Sequence, residues 1–313
     1  LALIPLAISI AFPDPDFTRE AIERLHERAA DGDDIDQQVV REVLAEVRQD
    51  AGFAPHLPPD TWLHWAYAGV AAVVFGGVLT AISGRAASTA NLVGTGLVTG
   101  TFGILLLLAF QMITHFTTFF WLRGGGLLML LFLILKLIAF SYTAALNPEN
   151  GFLLSFFGYT FGVGMCEELC KAIPVIWYIH SPGSNWKGAM LIGMASGIGF
   201  GISEGIMYSA DMYNGMTGGL IYLVRFSSCV SLHAVWAGAI GILMFRNQTF
   251  LHDLEWDGYL SFVINYLLVA MLLHGLYDTL LKKDFEVGAL LVAGLSWVWL
   301  GWLFHHARSE PAT

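Results

Sequence analysis

Two adjacent carboxylates and a lysine interrupt a long apolar stretch near the middle of the chain. Glu167, Glu168 and Lys171 lie in the segment GVGMCEELCKAIPV, within a run that is otherwise apolar from Phe152 to Ile179. Such a run is typical of a membrane-spanning helix, and charged groups at that depth are costly and therefore usually paired and functional. Lys171 follows the two glutamates by four and three residues, so on a helix it can pair with either. One carboxylate then remains, either protonated or facing something cationic or wet.

Polar groups recur inside three later apolar stretches. Glu204 lies in GIGFGISEGIMY, His233 lies in SLHAVWAG, and His274 and Asp278 lie in LLHGLYDTLL. Asp278 follows His274 by one helical turn and can orient its ring through a ring nitrogen. Because each group should turn away from lipid, we expect them to meet in one interior and form a site. For Lys171, simple neutralisation of a glutamate explains its presence as well as a role in chemistry does.

The elements that must position these groups are membrane helices. Of 313 residues, 56% are hydrophobic and only 13% are charged, which excludes an ordinary soluble domain. We predict an all-α, polytopic membrane helix bundle over residues 61–313, with its catalytic core at 152–281. About eight transmembrane helices are expected, at 62–82, 92–121, 127–146, 152–179, 189–210, 219–245, 259–281 and 286–305.

The first 60 residues differ from the rest of the chain. Residues 1–12 are apolar but too short to span, and they fit either the end of a missing helix or a signal-like segment. Residues 13–60 hold 13 acids and 5 bases, and their pattern predicts a small polar helical hairpin. No basic segment suggests nucleic acid as a partner.

The distribution of Lys and Arg predicts the orientation. With the amino-terminal segment inside, nine basic residues lie on the inner side and three on the outer side. The positive-inside rule then predicts a cytoplasmic polar N-terminal segment. The expected location is a prokaryotic cell membrane, in which the protein is integral and multi-pass.

Taken together, four motifs resemble a known family. Glu-Glu-x-x-Lys at 167–171, Phe-x-x-x-Glu at 200–204, His233 within HAVW, and the late His274 look like the PrsW family of intramembrane proteases. That family is distantly related to the type II CAAX prenyl endopeptidases of the ABI family. The resemblance covers about residues 152–281, with one motif in each of four spans.

The sequence departs from the CAAX pattern at two positions. Lys171 stands where those enzymes usually have an arginine spaced one residue further on, and Glu204 stands where they have a histidine. These differences favour the PrsW branch and argue against prenylated protein substrates.

The resemblance implies a function and a set of site residues. It implies an endopeptidase that cuts a membrane-anchored protein, such as an anti-sigma-factor-like regulator, in or near its transmembrane segment. Glu167 or Glu168 would activate a water, with Glu168 preferred, while Glu204, His233 and His274 complete the site. Peptide hydrolysis needs such an activated water, an acid for the leaving amine and positive charge on the oxyanion.

Two versions of the chemistry remain open, with and without a metal. In the metal-free version, a glutamate holds the water and the histidines stabilise the oxyanion. In the metal version, Glu204, His233 and His274 bind Zn²⁺, Glu168 is the general base, and Asp278 fixes the tautomer of His274. Zinc is favoured because three glutamates and one lysine leave excess negative charge in a poorly polarisable interior.

Two other functions fit the same residues. Intramembrane Glu, His, Asp and Lys also form the relays of proton- or ion-coupled transporters, although the chain shows no inverted repeat. A non-catalytic, ABI-like membrane scaffold is the third possibility.

Overall fold

The computed structural model of the chain is a bundle of helices. It describes residues 15–32, 62–117, 126–147, 149–207, 223–248 and 258–309, together with the short pieces 2–4, 35, 39–40, 42–43, 121 and 251. Within these residues the regular structure is helical and includes no β-strand. This confirms the all-α fold expected from the apolar runs.

The helices are numbered here in chain order. The first four are α1 (Pro15–Ala30), α2 (Trp62–Ser83), α3 (Thr89–Thr117) and α4 (Leu127–Leu146). The other five are α5 (152–179), α6 (Trp186–Met207), α7 (Val224–Arg246), α8 (259–282) and α9 (Glu286–Ser309).

Seven helices in the described part of the chain are long and apolar enough to cross a membrane. They are α2, α3, α4, α6, α7, α8 and α9. The remaining predicted span, 152–179, corresponds to α5, which is continuous helix over the expected residues but carries Glu167, Glu168 and Lys171. These three charges lower its mean hydropathy, although its length matches that of its neighbours. The protein is therefore an integral, multi-pass membrane protein.

Helix α7 lies at the centre of the bundle and packs most closely against α6. In the most apolar part of α7, 94% of the residues are buried, against 72% for α6 and 22–33% for α2, α3, α4 and α9. Glycines allow the close approach: a side chain on Gly193 or Gly197 would overlap the carbonyl oxygens of Ala237 or His233. Small residues are the usual way for membrane helices to gain packing contacts.

The outer helices present apolar side chains away from the core. Val73 on α2 is 75% exposed, Leu97 on α3 is 64% exposed, and Leu291 on α9 is 70% exposed. In water, such surfaces would favour aggregation, whereas in a bilayer they contact acyl chains at no cost. The inverted distribution, with apolar groups outside and charges inside, indicates that lipid surrounds the bundle.

Four of the long helices contain a π-helical turn, in which one extra residue is accommodated. These turns are Thr99–Gly103 in α3, Tyr159–Gly164 in α5, Val224–Cys229 in α7 and Val263–Leu267 in α8. Three of them precede a predicted site residue on the same helix. π turns occur frequently at functional sites, because they rotate the residues that follow them.

The amino-terminal segments are described only in part. Helix α1 covers most of the first half of the predicted hairpin, and only residues 39–40 and 42–43 of its second half are described, as helix. In the apolar segment 1–12, the carbonyl of Ala2 accepts a hydrogen bond from Ser228 Oγ at 2.7 Å. The division into a hairpin and a separate bundle remains a prediction.

The α6–α7 contact can be tested with a single methyl group. We expect Gly193→Ala to cost about 1–3 kcal/mol, because the new methyl group must push the two backbones apart. The thermal unfolding midpoint in detergent should fall by several degrees. Gly294→Ala is the matched control, since a side chain there meets nothing within 4 Å. Because alanine favours helix over glycine, the control should melt at the same or a higher temperature. Equal midpoints for the two variants would contradict the proposed contact.

Candidate active site

Four helices bring the predicted site residues into one buried cluster. Helix α5 contributes three of them, and α6, α7 and α8 contribute one each. The six are Glu167, Glu168, Lys171, Glu204, His233 and His274, and all are buried. The clustering agrees with the expectation that charges at membrane depth turn toward one interior. Their roles in catalysis remain a prediction.

Lys171 lies among the polar groups and is fully buried. Its Nζ donates a hydrogen bond to Glu168 Oε1 at 2.7 Å and lies 2.9 Å from His233 Nδ1 and 3.7 Å from Glu167 Oε2. The ring of Phe200 lies 4.9 Å from the ammonium, in a cation–π contact. Lys171 therefore pairs mainly with Glu168, and the phenylalanine of the Phe-x-x-x-Glu motif contacts the same ammonium.

The contacts of His233 determine its tautomer. An ammonium group can only donate, so His233 Nδ1 accepts from Lys171 and the ring proton lies on Nε2. Nε2 lies 2.7 Å from a carboxylate oxygen, Glu204 Oε2. Glu204 thus contacts the side of the ring that points away from Lys171.

The contacts of His274 determine the opposite tautomer. Its Nδ1 lies 3.0 Å from Glu168 Oε1, and because a carboxylate can only accept, the proton of a neutral ring lies on Nδ1. Nε2 then faces two further carboxylate oxygens, Glu167 Oε2 at 3.7 Å and Asp278 Oδ2 at 3.4 Å, and such a contact requires a proton or a cation between the ring and a carboxylate. The residue predicted to orient His274, Asp278, is therefore adjacent to the ring, but Glu168 makes the shorter contact.

Glu167 has an open oxygen at the centre of the cluster. Among the described residues, its buried Oε2 has no hydrogen-bond partner. The same oxygen lies 4.0 Å from His233 Nδ1 and 3.7 Å from His274 Nε2. A carboxylate oxygen that faces an imidazole lone pair inside a bundle requires a proton or a cation between them.

A possible set of metal ligands follows from this arrangement. Glu167, His233 and His274 each offer one ligand atom, and these atoms lie within 4.8 Å of one another. The set shares both histidines with the set predicted from the sequence but contains Glu167 where that set has Glu204. The ammonium of Lys171 lies beside His233 Nδ1, the atom that a metal ion would need.

Arg225 contacts the cluster although its place there was not predicted from the sequence. It lies in the π turn of α7, is 3% exposed, and its Nη2 is 3.4 Å from Glu204 Oε1. A lone arginine inside the predicted span 219–245 was the signal that could have found it, by the same argument from the cost of buried charge.

The fixed charges of the cluster do not balance. Among the described residues of the cluster, four carboxylates face two cations when both imidazoles are neutral; the carboxylates are Glu167, Glu168, Glu204 and Asp278, and the cations are Lys171 and Arg225. The excess of two negative charges would be balanced by a divalent ion or by two protons. A buried cluster of this kind is unstable without one of them.

Trp236 stacks on one histidine of the cluster and makes an edge contact with the other. Its ring stacks on His274 with a centroid distance of 4.5 Å and an interplanar angle of 19°, and it meets His233 edge-on at 5.8 Å. Its indole N–H donates to Ser296 Oγ on α9 at 3.0 Å. The tryptophan was visible in the HAVW motif, but its contact with a serine 60 residues later could not be inferred from spacing.

The fold and the cluster together define an integral membrane protein with a buried group of carboxylates, imidazoles and a lysine in its interior. The model of the PrsW family intramembrane metalloprotease matches residues 111–304, which is more than half of the chain. The chain therefore belongs to that family and is, at the family level, an intramembrane protease that acts on a membrane-embedded substrate. No curated protein and no solved structure matches the chain.

The role of Trp236 can be tested through its hydrogen bond. Ser296→Ala removes the acceptor and leaves a buried indole N–H unsatisfied, which should cost about 1–3 kcal/mol. We expect a lower thermal midpoint and a several-fold lower proteolytic rate, because the ring that stacks on His274 loses its anchor. Ser309→Ala, at the exposed end of α9, is the control and should change neither value. Unchanged stability and rate in Ser296→Ala would show that the indole needs no anchor.

Proposed function

We propose that this protein is an endopeptidase that hydrolyses a peptide bond in or near the transmembrane segment of a membrane-anchored protein. The reacting centre is the group formed by Glu167, His233 and His274. The observation that carries the proposal is the buried Glu167 Oε2, which faces both imidazoles and has no hydrogen-bond partner in the described structure. A regulator of the anti-sigma-factor type is the substrate class that the family resemblance suggests.

The residues of this centre fit a divalent metal ion, provided that Lys171 releases His233 Nδ1, which accepts its hydrogen bond in this structure. An unsatisfied carboxylate oxygen, an open imidazole lone pair and an excess of two negative charges are together the features that a cation satisfies. Glu167, His233 and His274 would hold the ion, and two imidazoles with one carboxylate favour zinc. Such an ion supplies positive charge that polarises a peptide carbonyl and activates water.

The other carboxylates of the cluster orient the two imidazoles. Glu168 accepts from His274 Nδ1 and thereby keeps His274 Nε2 directed at Glu167. Glu204 faces His233 Nε2 and keeps His233 Nδ1 directed at the centre. Carboxylate partners of this kind fix the tautomer and the orientation of imidazole ligands.

Proton transfer is assigned to the glutamates of α5. In the metal-free version, Glu167 Oε2 accepts the proton of the attacking water, because this oxygen has no hydrogen-bond partner among the described residues and faces His274 Nε2. His274 Nε2, 3.7 Å from that oxygen, is near enough to pass the proton on to the leaving amine. In the metal version, Glu167 is a ligand and Glu168 remains the proposed general base through Oε2, which is buried without a hydrogen-bond partner.

Asp278 marks the side from which a substrate can approach. Its side chain is 24% exposed, whereas the side chains of Glu167 and His274 are 5% and 4% exposed. A peptide that enters beside Asp278 reaches His274 Nε2 and then Glu167.

The assignment predicts the activities of two glutamine variants. Glu167→Gln should lower the rate of cleavage of a membrane-anchored reporter in proteoliposomes by at least about 100-fold, because it removes the central carboxylate in either version. Glu168→Gln should also be strongly impaired, because it releases Lys171 and His274 together. Glu149→Gln is an exposed control and should cleave at the wild-type rate. Wild-type turnover by Glu167→Gln would exclude the proposed centre.

Metal content separates the two versions and the two ligand sets. If zinc is bound by Glu167, His233 and His274, the purified protein should contain about one equivalent. Glu167→Gln and His274→Ala should lose it, while Glu204→Gln should retain most of it with weaker affinity. Loss of metal in Glu204→Gln with retention in Glu167→Gln would instead support the set predicted from the sequence. Full activity of metal-free protein after exhaustive chelation would establish the metal-free version.

A further inference from the structure

We propose that Arg225 is a positioning residue of the active site, which holds Glu204 in place and through it the ring of His233. The inference rests on the proposed function, because it assigns Arg225 to the same centre. The guanidinium contacts one oxygen of Glu204, and the imidazole contacts the other, at 3.4 Å and 2.7 Å. Glu204 therefore lies between the two groups, in an ion pair with the guanidinium and in a short contact with the imidazole.

The burial of Arg225 requires a reason other than stability. An arginine that is 3% exposed at membrane depth is expensive to insert. Buried ion pairs contribute little net stability, and apolar residues of similar size often replace them without loss. Glu204 needs a cation beside it, and Arg225 supplies one. If these positions served packing alone, however, two apolar residues would suffice and neither charge would be present. The pair is explained if Glu204 is required as a carboxylate beside His233.

The π turn of α7 brings Arg225 onto the face that carries His233. The two residues are eight positions apart, and in a regular α-helix they would be offset by about 80° around the axis. The π turn Val224–Cys229 accommodates one extra residue, which reduces the offset to about 20°. Without this turn, Arg225 would point past Glu204.

The role of Arg225 follows from what Glu204 would do without it. A carboxylate with no fixed partner on its outer oxygen can rotate, or it can pair with another cation of the cluster. In either case His233 loses the contact that determines which nitrogen carries its proton. A planar guanidinium suits this position better than an ammonium, because it presents several donors in fixed directions. Substrate binding, which involves other surfaces, should change little.

Kinetics in proteoliposomes tests the proposal. We expect Arg225→Gln to lower kcat by at least about 10-fold, with KM within a factor of about 3, which is the scale seen for partners of active-site ligands. Arg225→Lys keeps the charge and should recover a substantial part of kcat. Arg246→Gln, at the exposed end of the same helix, is the matched control and should match the wild type. Thermal midpoints are measured for all variants in parallel.

A double-mutant cycle shows whether Arg225 acts through Glu204. Once Glu204→Gln is present, adding Arg225→Gln should lower kcat no further, because the group that Arg225 positions is already lost. Multiplicative losses in the double variant would overturn the proposal, as would wild-type kcat in Arg225→Gln. Equal losses in Arg225→Gln and Arg225→Lys, both matched by lower thermal midpoints, would reduce Arg225 to a structural residue and also overturn it.

The proposed function is tested separately, by the activity of the Glu167→Gln variant. An active Glu167→Gln protein contradicts the proposed centre whatever Arg225 does. An inactive Glu167→Gln protein together with a fully active Arg225→Gln protein contradicts the role of Arg225 alone.

Discussion

The contact of Lys171 with Glu168 is the interaction on which the interior of this bundle depends. Glu168 and Lys171 are both fully buried on α5, and neither could remain charged there without the other. Their pairing leaves Glu168 able to accept from His274 and Lys171 able to donate to His233. One ion pair on one helix thereby sets the tautomers of two imidazoles on two other helices.

The four carboxylates of the cluster divide into different environments. Glu168 and Glu204 each have a cation on one side and an imidazole on the other, so their positions are fixed. Glu167 lies near the same groups at longer distances, and Asp278 lies at the accessible edge. A hydrolytic site needs both kinds, since fixed groups define the geometry and less constrained groups can exchange protons with a substrate or hold a metal.

Much of this arrangement could be predicted from the sequence, for reasons that differ between elements. The spans were predictable because length and hydropathy suffice, and the cluster was predictable because Glu167, Glu204, His233 and His274 are each too costly to face lipid. The choice between the adjacent glutamates was not predictable. It depends on which oxygen each rotamer presents, and helical spacing allowed Lys171 to reach either carboxylate.

Contacts between distant helices were also beyond the sequence. The hydrogen bond from Trp236 to Ser296 depends on how α9 is packed against α7, and no local pattern encodes that register. Arg225 was overlooked although its charge was visible, because its alignment with His233 depends on a π turn that α-helical periodicity does not reveal.

The π turns have a consequence for comparing this chain with its relatives. Across each of these turns the sequence contains one residue more than a regular helix would need. The spacing of residues that share a helix face is therefore one position longer across the turn than the 3.6-residue periodicity predicts. Deleting one residue within such a turn would restore a regular helix and would leave the residues beyond it in nearly the same orientation relative to those before it, because the turn had absorbed that residue. In α7, a relative that is shorter by one residue at Val224–Cys229 would keep its arginine within about 20° of its histidine on a regular helix, whereas a relative of equal length without the π turn would direct its arginine about 80° away.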